Sequence, residues 1–342
     1  MLDSTAGPTS RAYSSTATGS EHLLYLSSQH PEFFSLLDSR KIALLMDYIA
    51  EMDSISWEFE DEAKGGRGST YNYAQRAADN RQIGMANLLK CFSPSYDAIP
   101  DSSFRLLDVL GGDGTIARFC ASLPGTMPTV YTADISKMMI RACFIQGLPC
   151  IRQAATNSLF RDDILDGVLI AYGSHHIASE ERHLAVSEAF RTLVQGGRLV
   201  LHDFEVGGAA SKWFDEVVDP FSRTGHSHPH FTRNEMLDLF LHAGFRDTLI
   251  FDMEDPFTLF GESPEEARHH ALRHMYLMYG LEKLPEPTID RPGPLLGLVE
   301  EIFGTISVTK QGGRYVSRIS RQALVAVGTK SKNDASEWRG LK

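Results

Sequence analysis

The stretch Phe104-Arg105-Leu106-Leu107-Asp108-Val109-Leu110-Gly111-Gly112-Asp113-Gly114-Thr115 is the most informative part of this sequence. It reads as an apolar strand that runs into glycines, and the residues that follow read as a helix. Glycines at such a crossing let the backbone approach a ligand, and a helix N-terminus favours polar or anionic groups. A second predicted strand, 129–134, ends in Asp134, 20 residues beyond Gly114. An acid at that offset is placed to bind both hydroxyls of a ribose. Together these features indicate a nucleoside-containing cofactor.

Composition and charge narrow the class of protein. Of the 342 residues, 42% are hydrophobic and 23% are charged, which is typical of soluble globular proteins. The 44 acidic residues outnumber the 33 basic ones, and the net charge of -11 argues against broad binding to nucleic acid or to an anionic membrane. The four cysteines show no CxxC spacing, and no apolar run reaches the roughly 18 residues that span a bilayer. We therefore expect a cytoplasmic protein with no nucleic-acid or membrane partner.

Strand and helix patterns alternate from residue 103 onward, which predicts an α/β fold with a doubly wound, mostly parallel sheet. The predicted strands are 104–110, 129–134, 149–154, 165–172, 197–204 and 248–251, with a long last strand over 315–327. The predicted helices between them are 114–123, 136–146, 179–195 and 232–243.

The same patterns divide the chain into five segments. We predict a disordered tail over 1–30, a helical lid over 31–98, a cofactor-binding core over 99–254 plus 313–330, a helical insertion over 255–312, and a second tail over 331–342. Lids from both ends of the core imply an enclosed pocket and a small-molecule substrate. Apolar helix faces within 264–305 also allow a homodimer through the insertion.

The ends of the later strands complete a pattern. The fourth strand ends Leu169-Ile170-Ala171-Tyr172-Gly173-Ser174-His175-His176, and the fifth ends Val200-Leu201-His202-Asp203-Phe204-Glu205. With the glycine turn and Asp134, these segments resemble the class I S-adenosylmethionine-dependent methyltransferases. The resemblance spans about 104–253 and the last strand, and implies a Rossmann-like methyltransferase fold with S-adenosylmethionine as cofactor.

The resemblance also implies roles for individual residues. Asp134 would accept from the ribose hydroxyls and Ile135 would pack near the adenine. Tyr172 would neighbour the methionyl group or the substrate. Tyr71 or Tyr73 would close over the cofactor from the lid, and we take Tyr73 as the site residue. The residues along the methionine part of the cofactor would be Asp108, Gly112, Asp113 and Gly114.

Two positions depart from the family pattern. Leu110 stands where the first glycine of the turn is usual, so it must adopt an ordinary extended conformation. Ala155 stands where an acid often binds the adenine amine, and Asn157 or a backbone group would have to replace that acid.

Six histidines fall where the strand ends and the following loop would face the site: His175, His176, His202, His226, His228 and His230. An imidazole has a suitable pKa of about 6.5 for a general base. We predict His176 and His202 as catalytic bases, with Asp203 orienting a neighbour. The alternative for each histidine is a packed side chain bonded to the backbone.

The alternating histidines of Gly225-His226-Ser227-His228-Pro229-His230 allow a further hypothesis. On an extended strand all three side chains would share one face, which would suit zinc or iron, joined by His202 or Asp203. Pro229 and Gly225 favour a loop instead, so we assign no metal.

These observations favour a small-molecule methyltransferase that methylates oxygen or carbon in secondary metabolism, for example in antibiotic biosynthesis. Two alternatives remain open. One is a cofactor-assisted cyclisation or rearrangement without methyl transfer, and the other is a catalytically silent binding subunit.

Overall fold

A seven-stranded sheet forms the centre of the molecule. The computed structural model describes residues 19–55, 57–60, 65–75 and 78–331. The strands in those residues are β1 (Arg105–Asp108), β2 (Thr129–Asp134), β3 (Cys150–Arg152), β4 (Leu165–Ile170), β5 (Leu193–Asp203), β6 (Arg246–Glu254), β7 (Phe257–Gly261), β8 (Ser307–Gln311), β9 (Arg314–Ile319) and β10 (Gln322–Thr329).

The strand order of the main sheet is β3-β2-β1-β4-β5-β10-β6. Strands β1 to β5 run parallel to one another, and β10 lies antiparallel between β5 and β6. The order reverses between β1 and β4, and ligands of open α/β sheets bind at the carboxyl ends of the strands at such a reversal. The predicted doubly wound, mostly parallel fold is confirmed.

Helices cover both faces of this sheet. Alternate residues of each strand pack on opposite faces, so that Leu106 and Val200 belong to one core and Leu107 and Leu199 to the other. No helix in the described ranges is long and apolar enough to cross a bilayer. The described helices are α1 (Gly19–Gln29), α2 (Pro31–Ser35), α3 (Ser39–Ile55), α4 (Gly68–Gln75), α5 (Gln82–Lys90), α6 (Thr115–Ser122), α7 (Lys137–Ile145), α8 (Arg182–Thr192), α9 (Ala209–Trp213), α10 (Asp219–Phe221), α11 (Arg233–Ala243), α12 (Pro264–Met278) and α13 (Gly293–Phe303).

Part of the predicted N-terminal tail is a helix. Helix α1 lies inside the range 1–30 that we expected to be disordered, and Leu26 of this helix is fully buried. The remainder of that prediction, 1–18, lies outside the described residues, as does nearly all of the predicted second tail, from 332 onward.

The insertion is not purely helical. It contributes β7 and β8, which pair with β9 in a three-stranded antiparallel sheet of order β7-β9-β8. The single strand predicted over 315–327 is therefore two strands in two sheets, β9 and β10. The chain changes sheet at Ser320-Arg321, where the Arg321 side chain turns inward to pair with Asp255. A buried ion pair of this kind cannot be predicted from the alternation of apolar residues in the sequence.

Candidate active site

A cavity opens at the carboxyl ends of β1, β2 and β4, where the strand order reverses. The atom-free space within it is about 750 Å³. The strand ends and the turns that follow them supply one side, and the N-terminal region supplies the other. Its lining residues are Phe59, Tyr71, Arg81, Met85, Asp108, Leu110, Gly111, Gly112, Thr115, Ile116, Asp134, Ile135, Met139, Ala171, Tyr172, Gly173 and His176.

The glycine turn after β1 forms a tight cradle at the cavity wall. A Cβ on Gly111 would lie 2.7 Å from Cγ2 of Thr132 and 2.9 Å from Oδ2 of Asp108, so only glycine fits there. Gly112 has a φ of +56°, in the left-handed region that glycine tolerates. Leu110 lines the cavity from a turn and without a positive φ, and Gly111 provides the close backbone approach.

Asp134, at the end of β2, is held in one orientation by the backbone. The N–H of Gly112 donates to its Oδ2 at 2.9 Å, and the N–H of Ser136 donates to its Oδ1 at 2.8 Å. Burial raises the pKa of Asp134 to about 6 against the effect of these hydrogen bonds. Burial, reinforced by the charge of Asp134, raises the pKa of Asp108 to about 8. The cavity thus holds two carboxyl groups that a cationic ligand would keep ionised.

The N-terminal region covers the cavity with Phe59, Tyr71 and Arg81. Tyr73, the residue predicted to close over the cofactor, is 55% exposed and lies at a different depression beside Arg273. Residues two apart in a helix point to nearly opposite sides, so α4 can present only one of these tyrosines to the cavity. Tyr71 is the one that it presents.

Asp113 and Gly114 do not line the cavity, although we predicted both as cofactor residues. Oδ1 of Asp113 accepts from Arg118 and Thr115, each at 2.9 Å, and its Oδ2 accepts from the Asn72 amide at 2.9 Å. Asp113 therefore ties the turn to α4 and α6. Gly114 begins α6 with a φ of +85°.

His202, one of the two predicted bases, is fully buried behind Tyr172 and does not reach the cavity. Its Nδ1 accepts from the backbone N–H of Tyr172 at 3.4 Å, and the two rings lie 4.5 Å apart. Tyr172 has a φ of +58°, and its hydroxyl donates to Oδ1 of Asp255 at 3.2 Å. His202 is thus placed to position Tyr172.

Asp203 orients two histidines, as predicted for a neighbour of the site. It is buried, and it accepts from Nδ1 of His175 and from Nδ1 of His230, each at 2.9 Å. The pKa of Asp203 lies well below its usual range because the adjacent histidines outweigh the effect of burial. With Nδ1 donating, Nε2 of His175 and of His230 carries a lone pair.

His176 is the predicted base that reaches the cavity. Its Nδ1 lies 3.4 Å from Oε2 of Glu58, and Nε2 of His228 lies 3.6 Å from the same oxygen. Burial, and then the neighbouring histidines His175 and His228, lower the pKa of His176 well below 6.5. The imidazole is therefore neutral at physiological pH.

Five histidines lie together beside the cavity, with ring centres 4.3 to 6.5 Å apart in neighbouring pairs, and we call them the histidine cluster: His175, His176, His226, His228 and His230. His226 and His230 come from the irregular segment between α10 and α11, so the predicted loop is confirmed. His202 is not a member. The cluster adjoins a second, smaller cavity with about 390 Å³ of atom-free space. That cavity is lined by Phe59, Arg67, Tyr71, Arg81, Tyr172, His175, His176, Phe204, Phe214, Met278 and Tyr279.

Sequence reasoning missed three charged residues of this region. Glu58 begins the acidic sequence Glu58-Phe59-Glu60-Asp61-Glu62, a pattern typical of a solvated surface, yet it is 7% exposed and pairs with Arg67 at 2.9 Å. The Arg81 guanidinium stacks 4.6 Å from the centre of the Tyr172 ring. The linear sequence carries no local signal of these contacts, which join residues from different segments.

Comparison with known proteins gives the family of the core. Residues 107–201 match a family model described as a methyltransferase domain. The chain contains a class I S-adenosylmethionine-dependent methyltransferase domain. S-adenosylmethionine is the cofactor of this domain, and the residues present fit it, since Gly111 leaves room for a close ligand and Asp134 is oriented at the expected place.

Several relatives resemble the methyltransferase domain. The ubiquinone/menaquinone biosynthesis C-methyltransferase UbiE of Ectopseudomonas mendocina is 30% identical over 147 residues, which cover 41% of this chain and 56% of that protein. The UbiE protein of Yersinia pestis bv. Antiqua is 32% identical over 134 residues, which cover 37% and 52%. The chain thus spans about half the length of these relatives.

Solved structures with a similar arrangement include two methyltransferases. The plantazolicin methyltransferase BamL, solved with a desmethyl analogue and S-adenosylhomocysteine, is 12% identical with a TM-score of 0.46, covering 84% of this chain and 99% of that one. A TehB-like methyltransferase from Corynebacterium glutamicum is 17% identical with a TM-score of 0.40, covering 77% and 99%.

Proposed function

We propose that the protein transfers the methyl group of S-adenosylmethionine to an oxygen or carbon atom of a small molecule. The shared wall of the two cavities carries this proposal. Five residues line both of them: Phe59, Tyr71, Arg81, Tyr172 and His176. A cofactor in the larger cavity and a substrate in the smaller one would therefore lie next to each other, with these five side chains around both.

Residues of the larger cavity would hold the cofactor by its separate parts. Asp134 would accept from the ribose hydroxyls and Ile135 would pack on the adenine. Asp108, Gly111 and Gly112 would lie along the methionine part. The bound cofactor supplies an electrophilic methyl group on a sulfonium, and the aromatic side chains above the cavity exclude water from that group.

The smaller cavity suits a compact molecule that carries an ionisable oxygen. Its walls are largely aromatic, and Arg81 and Arg67 bring positive charge to it. Nε of Arg81 is buried and has no hydrogen-bond partner in the part of the chain that the structure describes. An oxygen of the substrate would satisfy this group, because an unpaired buried donor is costly.

His176 is the histidine that we propose to act on the substrate. It lines both cavities, whereas His202 lies behind Tyr172. As a neutral imidazole it can accept a hydrogen bond from a substrate hydroxyl or from an acidic C–H. We place the substrate in secondary metabolism, because the enclosed site and the oxygen-directed chemistry suit a small hydroxylated or dicarbonyl compound.

A methyl-transfer assay tests the proposed function. The full chain would be incubated with S-adenosylmethionine and a panel of phenols, enols and 1,3-dicarbonyl compounds. We expect release of S-adenosylhomocysteine and a product heavier by one methyl group. A product of unchanged mass would instead indicate a rearrangement, and cofactor binding without turnover of any compound would favour a silent binding subunit.

The homodimer through 264–305 stays a prediction. Light scattering on the purified chain measures it directly, and a mass of one chain at working concentration would contradict it.

A further inference from the structure

Three members of the histidine cluster are spaced as metal ligands. One ring nitrogen each from His175, His176 and His226 lies within 4.8 Å of the others. The ring centres are 4.5 Å apart for His175 and His176, 5.1 Å for His175 and His226, and 5.5 Å for His176 and His226. Imidazoles on one tetrahedral metal have ring centres about 5 Å apart, because the metal–nitrogen distance is about 2.1 Å.

Carboxylates support two of these three rings from behind. Nδ1 of His175 donates to Asp203 at 2.9 Å, and Nδ1 of His176 faces Glu58 at 3.4 Å. Each contact leaves Nε2 of the same ring for another partner. Metal-binding histidines generally hold their second nitrogen in this way, which fixes the ring orientation and makes the imidazole a better ligand.

His226 provides an independent observation. Its side chain is nearly buried, with 6% of the residue exposed. Neither ring nitrogen has a hydrogen-bond partner among the described residues. The loop is nevertheless held in place, because the backbone N–H of His226 donates to Oδ1 of Asp219 at 2.7 Å and its ring packs 4.3 Å from Phe214. Burying a polar ring without partners is unfavourable, so a ligand at this point would satisfy it.

We propose that His175, His176 and His226 bind a divalent transition-metal ion, zinc or iron(II). Three protein ligands leave a coordination position open, as in catalytic metal sites. His175 and His176 both line the smaller cavity, so the open position faces the substrate. His230 and His228 lie outside this three-histidine set, since a ring nitrogen of His230 groups with His175 and Asp203, and one of His228 groups with His176 and Glu58.

The role of the metal in the reaction rests on the proposed function. The ion binds the hydroxyl or enol oxygen of the substrate and favours its deprotonated form at neutral pH. The O–H bond breaks and the proton passes to solvent. The substrate's electron pair then forms the bond to the methyl group, and the carbon–sulfur electron pair returns to sulfur. With the ion present, His176 acts as a ligand and the metal replaces it as the agent of deprotonation.

Metal titration of the full chain, produced without a histidine tag, tests the site. The protein is stripped with a chelator and then titrated with Zn²⁺ alone and with Co²⁺ alone, whose visible spectrum reports tetrahedral nitrogen ligands. We expect about one ion per chain. His226→Ala removes a ligand and should weaken binding by more than the roughly 10- to 100-fold that loss of a ligand's outer partner costs, while His228→Ala and the exposed His183→Ala should keep it. Circular dichroism checks that each variant is folded. If His226→Ala does not fold, His176→Gln replaces it as the variant that lacks a ligand.

Metal binding well below one ion per chain, or equal binding by wild type and His226→Ala, would overturn the site. A bound ion in a protein that does not bind S-adenosylhomocysteine would refute the proposed function and leave the site intact. Turnover that survives chelation, in a protein shown to bind one ion, would refute the catalytic role and return deprotonation to His176.

Discussion

At the scale of single residues, Asp134 gives the strongest support for the cofactor site. Its two backbone hydrogen bonds fix the carboxylate and leave lone pairs for the ribose. Hydrogen bonds to a charged group contribute about 1.5–3 kcal/mol. We therefore expect Asp134→Ala to weaken S-adenosylhomocysteine binding by about tenfold to 100-fold in calorimetry. The exposed Asp238→Ala is the matched control, and equal affinity in the two variants would contradict the assignment.

The two cavity carboxyl groups also predict a pH dependence. The pKa values of Asp108 and Asp134 are about 8 and about 6 in the folded protein, each raised from 3.8 mainly by burial. A cationic ligand favours their ionised forms, so S-adenosylmethionine affinity should increase from pH 5 to pH 9. Asp108→Asn should flatten the upper part of this curve. Affinity that falls with rising pH in the wild-type protein would show that these groups do not face the ligand.

The raised pKa of Asp108 also predicts how the stability of the folded protein changes with pH. The folded protein keeps the Asp108 proton up to about pH 8, whereas the unfolded chain releases it near 3.8. The folded state thus binds more protons across this window, and the contribution of Asp108 to stability falls as pH rises through it. Melting temperatures of wild type and Asp108→Asn without ligand should diverge from pH 5 to pH 8, with the variant the more stable at the upper end. Parallel curves would contradict the raised pKa.

Residues at strand ends were predictable, and side chains supplied by the lid were not. Asp108, Asp134 and Ile135 follow from where a strand stops, because strand ends meet at one edge of the sheet. Tyr71 rather than Tyr73 depends on the rotation of a short helix about its axis. His176 rather than His202 depends on the φ of +58° at Tyr172, which places that ring between His202 and the cavity. Neither feature is visible in a linear pattern.

At the scale of elements, the turn between β1 and α6 compensates for its unusual Leu110. The backbone comes closest to its neighbours at Gly111, because a Cβ there would clash with Asp108 and Thr132. Overpacking of this kind costs about 1–3 kcal/mol. We expect Gly111→Ala to weaken S-adenosylhomocysteine binding about tenfold, while Leu110→Ala keeps it within a few fold. Calorimetry on both variants provides the measurement, and the reverse order of effects would refute this account of the turn.

Element boundaries followed the sequence closely at β2 and α11, where local and tertiary preferences agree, whereas β5 begins at Leu193, inside the predicted helix 179–195. Strand β2 covers the predicted 129–134, and α11 begins at the predicted cap, where Thr232 accepts from the N–H of Glu235. The change of sheet at Ser320-Arg321 was missed, since both flanking segments have strand-like alternation. Its cause is the pairing of Arg321 with an acid 66 residues away, which no local pattern records.

At the scale of the whole molecule, one buried ion pair joins the insertion to the core and the site. Arg321 pairs with Asp255 and donates to the hydroxyl of Tyr279 at 2.9 Å, and Asp255 in turn accepts from Tyr172. Removing one partner of a buried pair costs about 3–5 kcal/mol. Arg321→Met should destabilise the protein by this amount in urea unfolding.

Two further variants control that experiment. Arg314→Met removes an exposed pair with Glu262 and should change stability by less than about 1 kcal/mol. The double variant Arg321→Met, Asp255→Asn should recover part of the loss, because it no longer buries an unpaired charge. A loss no greater in Arg321→Met than in Arg314→Met would show that the pair does not hold the insertion in place.

The enclosed site exists because three distant parts of the chain converge. Phe59 and Arg67 come from the N-terminal region, His176 from the segment after β4, and Met278 from the end of α12. Arg67 binds two of these parts together, since it pairs with Glu58 and donates to the Met278 carbonyl at 2.9 Å. The sequence predicted that the N-terminal lid and the insertion cover the site, but these contacts depend on how the two segments dock on the core.

Calorimetric titration of the full wild-type chain with S-adenosylmethionine and with S-adenosylhomocysteine tests the central claim most directly. We predict saturable binding of both ligands at one site per chain, despite Leu110 and Ala155. Absence of binding to either ligand, by a protein shown to be folded, would contradict the assignment of the cavity and the methyl-transfer function that rests on it.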